Sequence, residues 1–494
     1  MTNLSDLFPA GAGKQVSFTA SGNVTGAGKP VVLNSDGTVS QVSGLTATAP
    51  VETVLVDASL YAYYRGTGPI IYDSVSQKVI WFYIPGANQP GYARVGEVSG
   101  SSVNWGTAVQ FSGGNVEAYG AQLSAGVAYD VASQRVLIAY TDGYYPSART
   151  GKLVVGTVSG TSISFGTPVS LHGAVTSNYS VTYDSNAQKC AVFFTKDSDS
   201  TIRGVVATVS GTSVTIGSEY TVQTMTGAII DLRSTFDSSN NKVVLAYRNY
   251  NTTNYLRNAV ITISGTSMSA GTLVDVTSFR VDYWDVSYDQ AAQKVVTAYT
   301  NNPTSKLEVK VGTVSGTSIS YGSAAVTTQN NPRDPSLAYD SRIQQVVLAT
   351  AQSPANAYSI SISGTTPTVS PPTRLSSGNS AYYVASTYDT NAQKSVAVYT
   401  FSSGYFGSYN VFSLGETNLT STNFLGISDA AISSAASGNI TIKGGIAATG
   451  LSSLTPASDY YVQPTGAFGT SAGNPSVKAG KALSATSINL EYTS

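Results

Sequence analysis

The stretch YDSNAQKCAVFFT, residues 183–195, decides the fold, because the chain repeats it. Near-copies are YDSVSQKVIWFY (72–83), YDVASQRVLIAYT (129–141), FDSSNNKVVLAYR (236–248), YDQAAQKVVTAYT (288–300), YDSRIQQVVLAT (339–350) and YDTNAQKSVAVYT (388–400). The repeated carboxylates are Asp73, Asp130, Asp184, Asp237, Asp289, Asp340 and Asp389. A second phrase of the type VSGTS follows each of the first six copies, beginning at Val98, Val158, Val209, Ile263, Val314 and Ile362; after the seventh it has decayed to SLGET at 413–417. A period of roughly fifty residues marks a propeller or a linear array.

Each unit reads as four short strands. In the third they are SVTYD (a), KCAVFFT (b), GVVATVS (c) and SVTIGS (d), rich in β-branched and aromatic residues and separated by turn formers. Strand b is apolar almost throughout, as expected of a strand covered on both faces. No segment sustains a helical period. Seven such units predict an all-β, seven-bladed β-propeller over residues 46–419.

The motif residues have a local task. The Asp accepts bonds from backbone N–H groups two or three residues on and closes the a–b turn. Gln77, Gln134, Gln188, Asn241, Gln293, Gln344 and Gln393 complete it, and the Gly of SGTS serves a c–d hairpin that needs positive φ. Seven calcium ligands are the competing reading, but DSNAQK offers few of the clustered oxygens such a loop needs.

Composition bounds the function. Of 494 residues 11 % are charged, against a typical quarter, and the net charge is −1, so nothing points to nucleic acid or a membrane surface. The one cysteine, Cys190, precludes an intramolecular disulfide. MTNLSDLFPAGAGK reads as a docking arm and not as a targeting peptide. The low charge and the surplus of Tyr and Thr suit an exposed extracellular surface.

The chain ends match each other. VVLNSDGTV (31–39) aligns with YYVQPTGAF (460–468), and LGISDAA (425–431) is read against KALSATS (481–487). Residues 1–45 and 420–494 are therefore expected to form one small duplicated β-domain, with the propeller inserted into its first half.

GKQVSFTASGNVTGAGKPVVLNSDGTVSQV (13–42) and FLGISDAAISSAASGNITIKGGIAATGLSSLTPASDYYVQPTGAF (424–468) resemble segments of virion structural and tail-fibre proteins of tailed, especially marine, bacteriophages. The resemblance covers roughly a quarter of the chain. It implies a virion location, assembly in the host cytoplasm, and other virion proteins as partners of the terminal domain.

Catalytic patterns are weak. GTSAG (469–473) fits Gly-x-Ser-x-Gly but lacks the strand–elbow–helix context, and a triad through Ser471 would need the one histidine, His172, from the other domain. The Asp-box of sialidases is missing, and no zinc spacing or phosphate loop occurs. A glycosidase would need a pair among Glu117, Asp142, Asp197, Asp199, Asp282, Asp285 and Asp334. The expectation is no enzyme, no cofactor and no metal.

The repeats also sort their own loops. The a–b and c–d loops hardly change from unit to unit. The b–c loops (PGANQPGY, DGYYPSART, KDSDSTIR, RNYNTTNY and their counterparts) and the d–a connections share almost nothing. Specific contacts belong on that variable face, and Tyr92, Tyr144, Tyr145, Arg149, Tyr250, Trp284, Tyr382, Tyr405 and Tyr409 are the candidates. Tyr255 and Tyr383, beside strands, are expected to pack between units. The function expected is a homo-oligomeric fibre-tip or surface adhesin for host glycans or proteins, with no nucleic acid or membrane partner. A purely structural capsid-decoration, neck or tail protein is the alternative, and a polysaccharide depolymerase the second.

Overall fold

Each copy of the repeated phrase folds as a hairpin whose turn is DSNAQK or its equivalent. In the third repeat, strand a is Thr176–Asp184, b is Lys189–Lys196, c is Thr201–Ser210 and d is split into Ser213–Ile216 and Tyr220–Thr224, both paired to c. The computed structural model describes residues 14–34, 36–43, 46–54, 67–85, 89–116, 126–143, 149–173, 175–225, 231–249, 254–376, 381–401, 407–416, 418–420, 422–463, 465–472 and 476–491. They are all-β, built of small antiparallel sheets with no helix, so among the described residues no helix is long and apolar enough to cross a membrane.

The seven repeats give seven a–b–c–d arrangements. The fourth and fifth are fused, because Val274–Asp289 runs as one strand from the edge of one into the first strand of the next. Strand b is the covered one: in Lys189–Lys196 only the two end residues are partly exposed. The tenth residue after the repeat's Asp sits there, and Tyr140, Tyr247, Tyr299 and Tyr399 are all fully buried at that position. Part of the tyrosine surplus is thus core, and not surface as its abundance suggested.

The turns owe their uniformity to two backbone devices. Asp184 is 2 % exposed, and its Oδ1 accepts the N–H groups of Asn186 and Ala187, both at 2.9 Å. Asp73, Asp237 and Asp389 repeat that pair of bonds, while Asp130 and Asp289 each hold one such N–H. The Gln or Asn that closes each turn is left-handed, with φ between 51° and 58° in all seven repeats. Those residues finish the turn through their backbone. In SGTS the glycines take φ near 60°, for example 58° at Gly160 and 61° at Gly316.

Neighbouring sheets pack through apolar clusters that each draw on two repeats, and the seventh packs against the first around Trp81, Tyr409 and Val411. The aromatic before the repeat's Asp reaches into the preceding turn. Tyr183 Oη accepts the Ala132 N–H at 3.3 Å, Tyr288 Oη bonds Ser239 Oγ at 2.7 Å, and Tyr72 Oη of the first repeat accepts the Asn391 N–H of the seventh at 3.3 Å. A glycine that ends the first half of strand d makes another join. A Cβ on Gly106, Gly166, Gly217, Gly271 or Gly322 would overlap the carbonyl oxygen of the SGTS threonine one repeat further on.

The seventh repeat departs from the sequence reading. Its strand c, Gly407–Glu416, takes as its outer neighbour Thr46–Val54, from before the first repeat. That explains why SLGET has lost the hairpin signature: no d strand follows it in sequence.

The chain divides into two compact units, one of residues 49–340 and 345–413 and the other of 1–48, 341–344 and 414–494. The second holds two five-stranded sheets over one apolar core that includes Val32, Ile427, Val462 and Ile488. One sheet is ordered Gln15–Thr19, Ser437–Ile442, Phe424–Ser428, Pro30–Leu33, Val39–Gln41. The other is ordered Ile446–Ala447, Ser487–Leu490, Lys478–Ser484, Asp459–Val462, Phe468–Gly469. Numbered along its own sequence, each reads 1-5-4-2-3. Equivalent bonds recur: Gly28 N–H to Ser428 O and Ala457 N–H to Ala482 O are both 2.8 Å, and Ile442 N–H to Lys14 O and Leu490 N–H to Gly445 O are both 2.9 Å. The chain leaves the first sheet after its third strand and returns at Phe424 for its fourth. One detail is corrected. Residues 424–428 take the place of 478–482, so LGISDAA had been matched two residues out of register with KALSATS. A slip of two preserves strand alternation, and the residue pattern does not detect it.

Candidate functional site

The first strands of all seven repeats line one cavity of about 230 Å³. They line it with their N-terminal halves, the halves entered from the variable d–a connections. Pro69, Gly126, Ser180, Arg233, Asp285, Ser336 and Ala385, each four residues before the repeat's Asp, show the equivalent lining position in each repeat.

Adjacent repeats are tied together along this lining. Ser234 Oγ bonds Ser180 Oγ at 2.7 Å and Thr182 Oγ1 at 2.6 Å. Arg233 Nε lies 3.8 Å from Asp285 Oδ1, and Asp285 Oδ2 accepts the Leu337 N–H at 2.8 Å. Ser386 donates its N–H to Ser336 Oγ at 2.9 Å. The third to seventh repeats are thus joined in series by polar bonds. Burial pushes the Asp285 carboxyl up to about 6, against the opposing pull of the Arg233 guanidinium.

Backbone shape distinguishes part of the cavity lining. Six residues before the repeat's Asp stand Asn178, Asp231, Asp334 and Tyr383, with φ of 47°, 54°, 43° and 50°. All four line the cavity. In three of these repeats the pairing of strands a and b slips by a residue here, between Ser177 and Ser180, Arg333 and Ser336, and Tyr382 and Ala385. A bulge of this kind turns side chains out of the regular alternation. Asn178 and Asp334 are buried; Asp231 and Tyr383 are partly exposed.

The candidates on the variable face fare unequally. Trp284 is 3 % exposed inside Val274–Asp289, with the Arg248 guanidinium 5.8 Å from its ring. Tyr409 is also 3 % exposed, edge-on to Trp105, with its hydroxyl accepting the Val103 N–H at 3.3 Å. Both are core residues, because each lies in a strand where a loop had been drawn. Tyr92 stacks on Tyr83 at 6.1 Å and is partly covered. Arg149 reaches Asp197 at 3.7 Å. Tyr382 is partly exposed and carries the exposed Arg333 guanidinium 5.3 Å from its ring centre. Tyr383 lines the cavity, against the expectation of inter-repeat packing. Tyr144, Tyr145, Tyr250 and Tyr405 lie outside the described residues.

The carboxylates named for hydrolysis are mostly engaged by cations: Asp197 by Arg149, Asp199 by Lys196 and Arg203, Asp282 by Arg248 and Arg280, Asp285 by Arg233. Glu117 is outside the described residues. His172 bonds Glu219 at 2.8 Å, and the backbone oxygen of Ser471 accepts from Gln463. Among the described residues no three His, Cys, Asp or Glu side chains gather as metal ligands. In six of the seven repeats the Asp Oδ1 is turned to backbone N–H donors, an arrangement that stabilises turns. No protein-family model matches the chain, and no curated protein matches it.

Sequence reasoning missed the cavity residues as a set. Part of their signal was available: counting back six from the repeated Asp finds Asn178, Asp231, Asp334 and Tyr383 in four repeats, and Thr67, Ser124 and Tyr283 in the other three.

Proposed function

We propose that the seven sheets are the blades of a seven-bladed propeller, closed by Thr46–Val54 as outer strand of the last blade, and that this propeller is a recognition head. Cyclic packing of the seventh sheet on the first, through Tyr409, Trp105 and the Tyr72–Asn391 bond, supports closure. The terminal sheets, with their shared 1-5-4-2-3 order, are the duplicated domain into which the propeller is inserted. Their resemblance to phage virion segments gives that domain the role of anchor, and the protein the role of a virion adhesin for host glycans or proteins.

One observation carries the recognition reading. The two loop sets of the same repeats behave oppositely: one keeps its Asp bonds, left-handed Gln or Asn and left-handed Gly in repeat after repeat, and the other shares almost no sequence. A scaffold alone gives no reason for the second set to diverge. Replacing Tyr144, Tyr145 and Tyr250 together by Ala is expected to lower binding of the labelled protein to a panel of bacterial isolates, since aromatic anchors carry most of the energy of such contacts. Ser159→Ala with Ser315→Ala, on the opposite face, is expected to leave it unchanged. Equal binding by both folded variants, or no binding to any isolate by the parent protein, rejects the adhesin and favours a purely structural role.

A further inference from the structure

The cavity at the seven first strands is too small and too polar for the large aromatic-lined surface contacts considered above. We infer that it is a site for one monosaccharide-sized, uncharged or cationic polyhydroxylated ligand, held by Asn178, Asp231, Asp334 and Tyr383. This proposal does not rest on the virion reading.

Size comes first. At about 230 Å³ the cavity is below the usual few hundred to a thousand of drug-sized pockets, which leaves room for a single ring. Chemistry comes second. A buried amide, Asn178, whose nitrogen already donates to Ser177 Oγ and Thr195 Oγ1 at 3.2 Å so that its oxygen is the group offered, and a buried carboxylate, Asp334, stand with Asp231 and the ring of Tyr383, whose neighbour Tyr382 lies 6.1 Å away. A carboxylate takes two adjacent hydroxyls through charge-assisted bonds, and an aromatic face covers the apolar side of a sugar ring. Asp231, Asp285 and Asp334 outnumber the one lining cation, Arg233, which already faces Asp285. An acidic sugar is therefore disfavoured. The serine hydroxyls deeper in the lining bond one another between repeats and serve as the wall.

Strain is the third and independent observation. Four non-glycine residues in the left-handed region, at one repeat position, all face one cavity. Left-handed φ costs an L-residue roughly 1–2 kcal/mol, least for Asn and Asp, and a tyrosine has no local means of recovering it. Such strain persists where the side-chain placement is the purpose. The turn glutamines carry the same φ to close an a–b turn, whereas Asn178, Asp334 and Tyr383 carry it at the bulge where strands a and b slip, which re-aims their side chains at the cavity.

The test uses the full chain and saturation-transfer NMR with glucose, galactose, mannose, N-acetylglucosamine and glucosamine, and glucuronate as the anionic control. At least one neutral or amino sugar is expected to give signal at millimolar concentration, and glucuronate none. Asp334→Asn keeps a residue that tolerates left-handed φ and is expected to weaken binding by about tenfold or more. Tyr383→Gly removes the ring while relieving the backbone, so it is expected to melt no lower than the parent and still to lose signal. No binding by any of the five sugars, binding unaltered in both variants, equal binding of glucuronate, or release of reducing sugar from an oligosaccharide would each overturn the inference. Sugar binding without cell binding would leave it standing while the adhesin fails; cell binding without sugar binding would do the reverse.

Discussion

Replacing Asp184 by Ala removes one side chain and strands two donors. Its Oδ1 accepts the Asn186 and Ala187 N–H groups at 2.9 Å each, and the carboxylate is 2 % exposed. Hydrogen bonds to charged groups contribute about 1.5–3 kcal/mol each when buried. Here Ser185 and Asn186 are exposed, so water reaches the freed N–H groups and returns part of that loss. The two bonds together should then cost about 1–3 kcal/mol, at or above the range of losing an Asp helix cap. Asp184→Asn keeps an acceptor oxygen in place and should recover roughly half. The assay is urea denaturation followed by tyrosine fluorescence, with the slope checked for constancy so that a midpoint shift reads as stability. A second arm repeats the melt with calcium and with chelator. A loss below about 0.5 kcal/mol, the ordinary range of a surface substitution, would refute the turn account. So would a melting point that rises with calcium, since the same oxygen cannot serve two N–H donors and a cation at once.

Three further outcomes follow from the packing and the electrostatics. Gly217→Ala places a Cβ against the Thr266 carbonyl oxygen; because the obstacle is backbone, a loss of roughly 1–3 kcal/mol is expected by thermal denaturation, while Gly113→Ala, in open space, should cost far less. Asp285 titrates near 4 unfolded and at about 6 folded, so the folded state holds the extra proton between those values and stability falls as pH rises through that window, by up to about 3 kcal/mol. Asp285→Asn should remove that component, seen as a stability gap to the parent protein that shifts towards the variant from pH 4 to pH 7; a gap independent of pH contradicts it. Removing residues 1–54 takes the outer strand from the sheet of Gly407–Glu416, and should raise hydrogen exchange of those amides before any other strand c; unchanged protection there would refute ring closure.

The repeat made most of this architecture legible. A phrase that places Asp, Gln and Gly at fixed intervals states turn geometry directly, because those residues are chosen for local backbone reasons that the sequence shows whole. Strand b was equally plain, since Lys189–Lys196 is apolar where it is buried. What escaped was set by partners far away in the chain. Nothing in TATAPVETV at 46–54 says that its strand completes a sheet begun at Ala381. Trp284 and Tyr409 look like loop aromatics until their neighbours, Arg248 and Trp105, are placed. The glycines after strand d recur visibly as WGT, FGT, IGS, AGT and YGS, yet only the carbonyl of the next repeat's threonine explains them. The cavity is the extreme case, for no single repeat contains more than a few of its lining residues.

Closure of seven sheets into one ring is the claim on which the cavity, the insertion and the two loop faces all depend. Electron micrographs of the full chain, classified into end-on views, measure it most directly. A closed disc with seven radial densities around a central hole is the expected result. An open crescent, or a ring with six or eight densities, would contradict it.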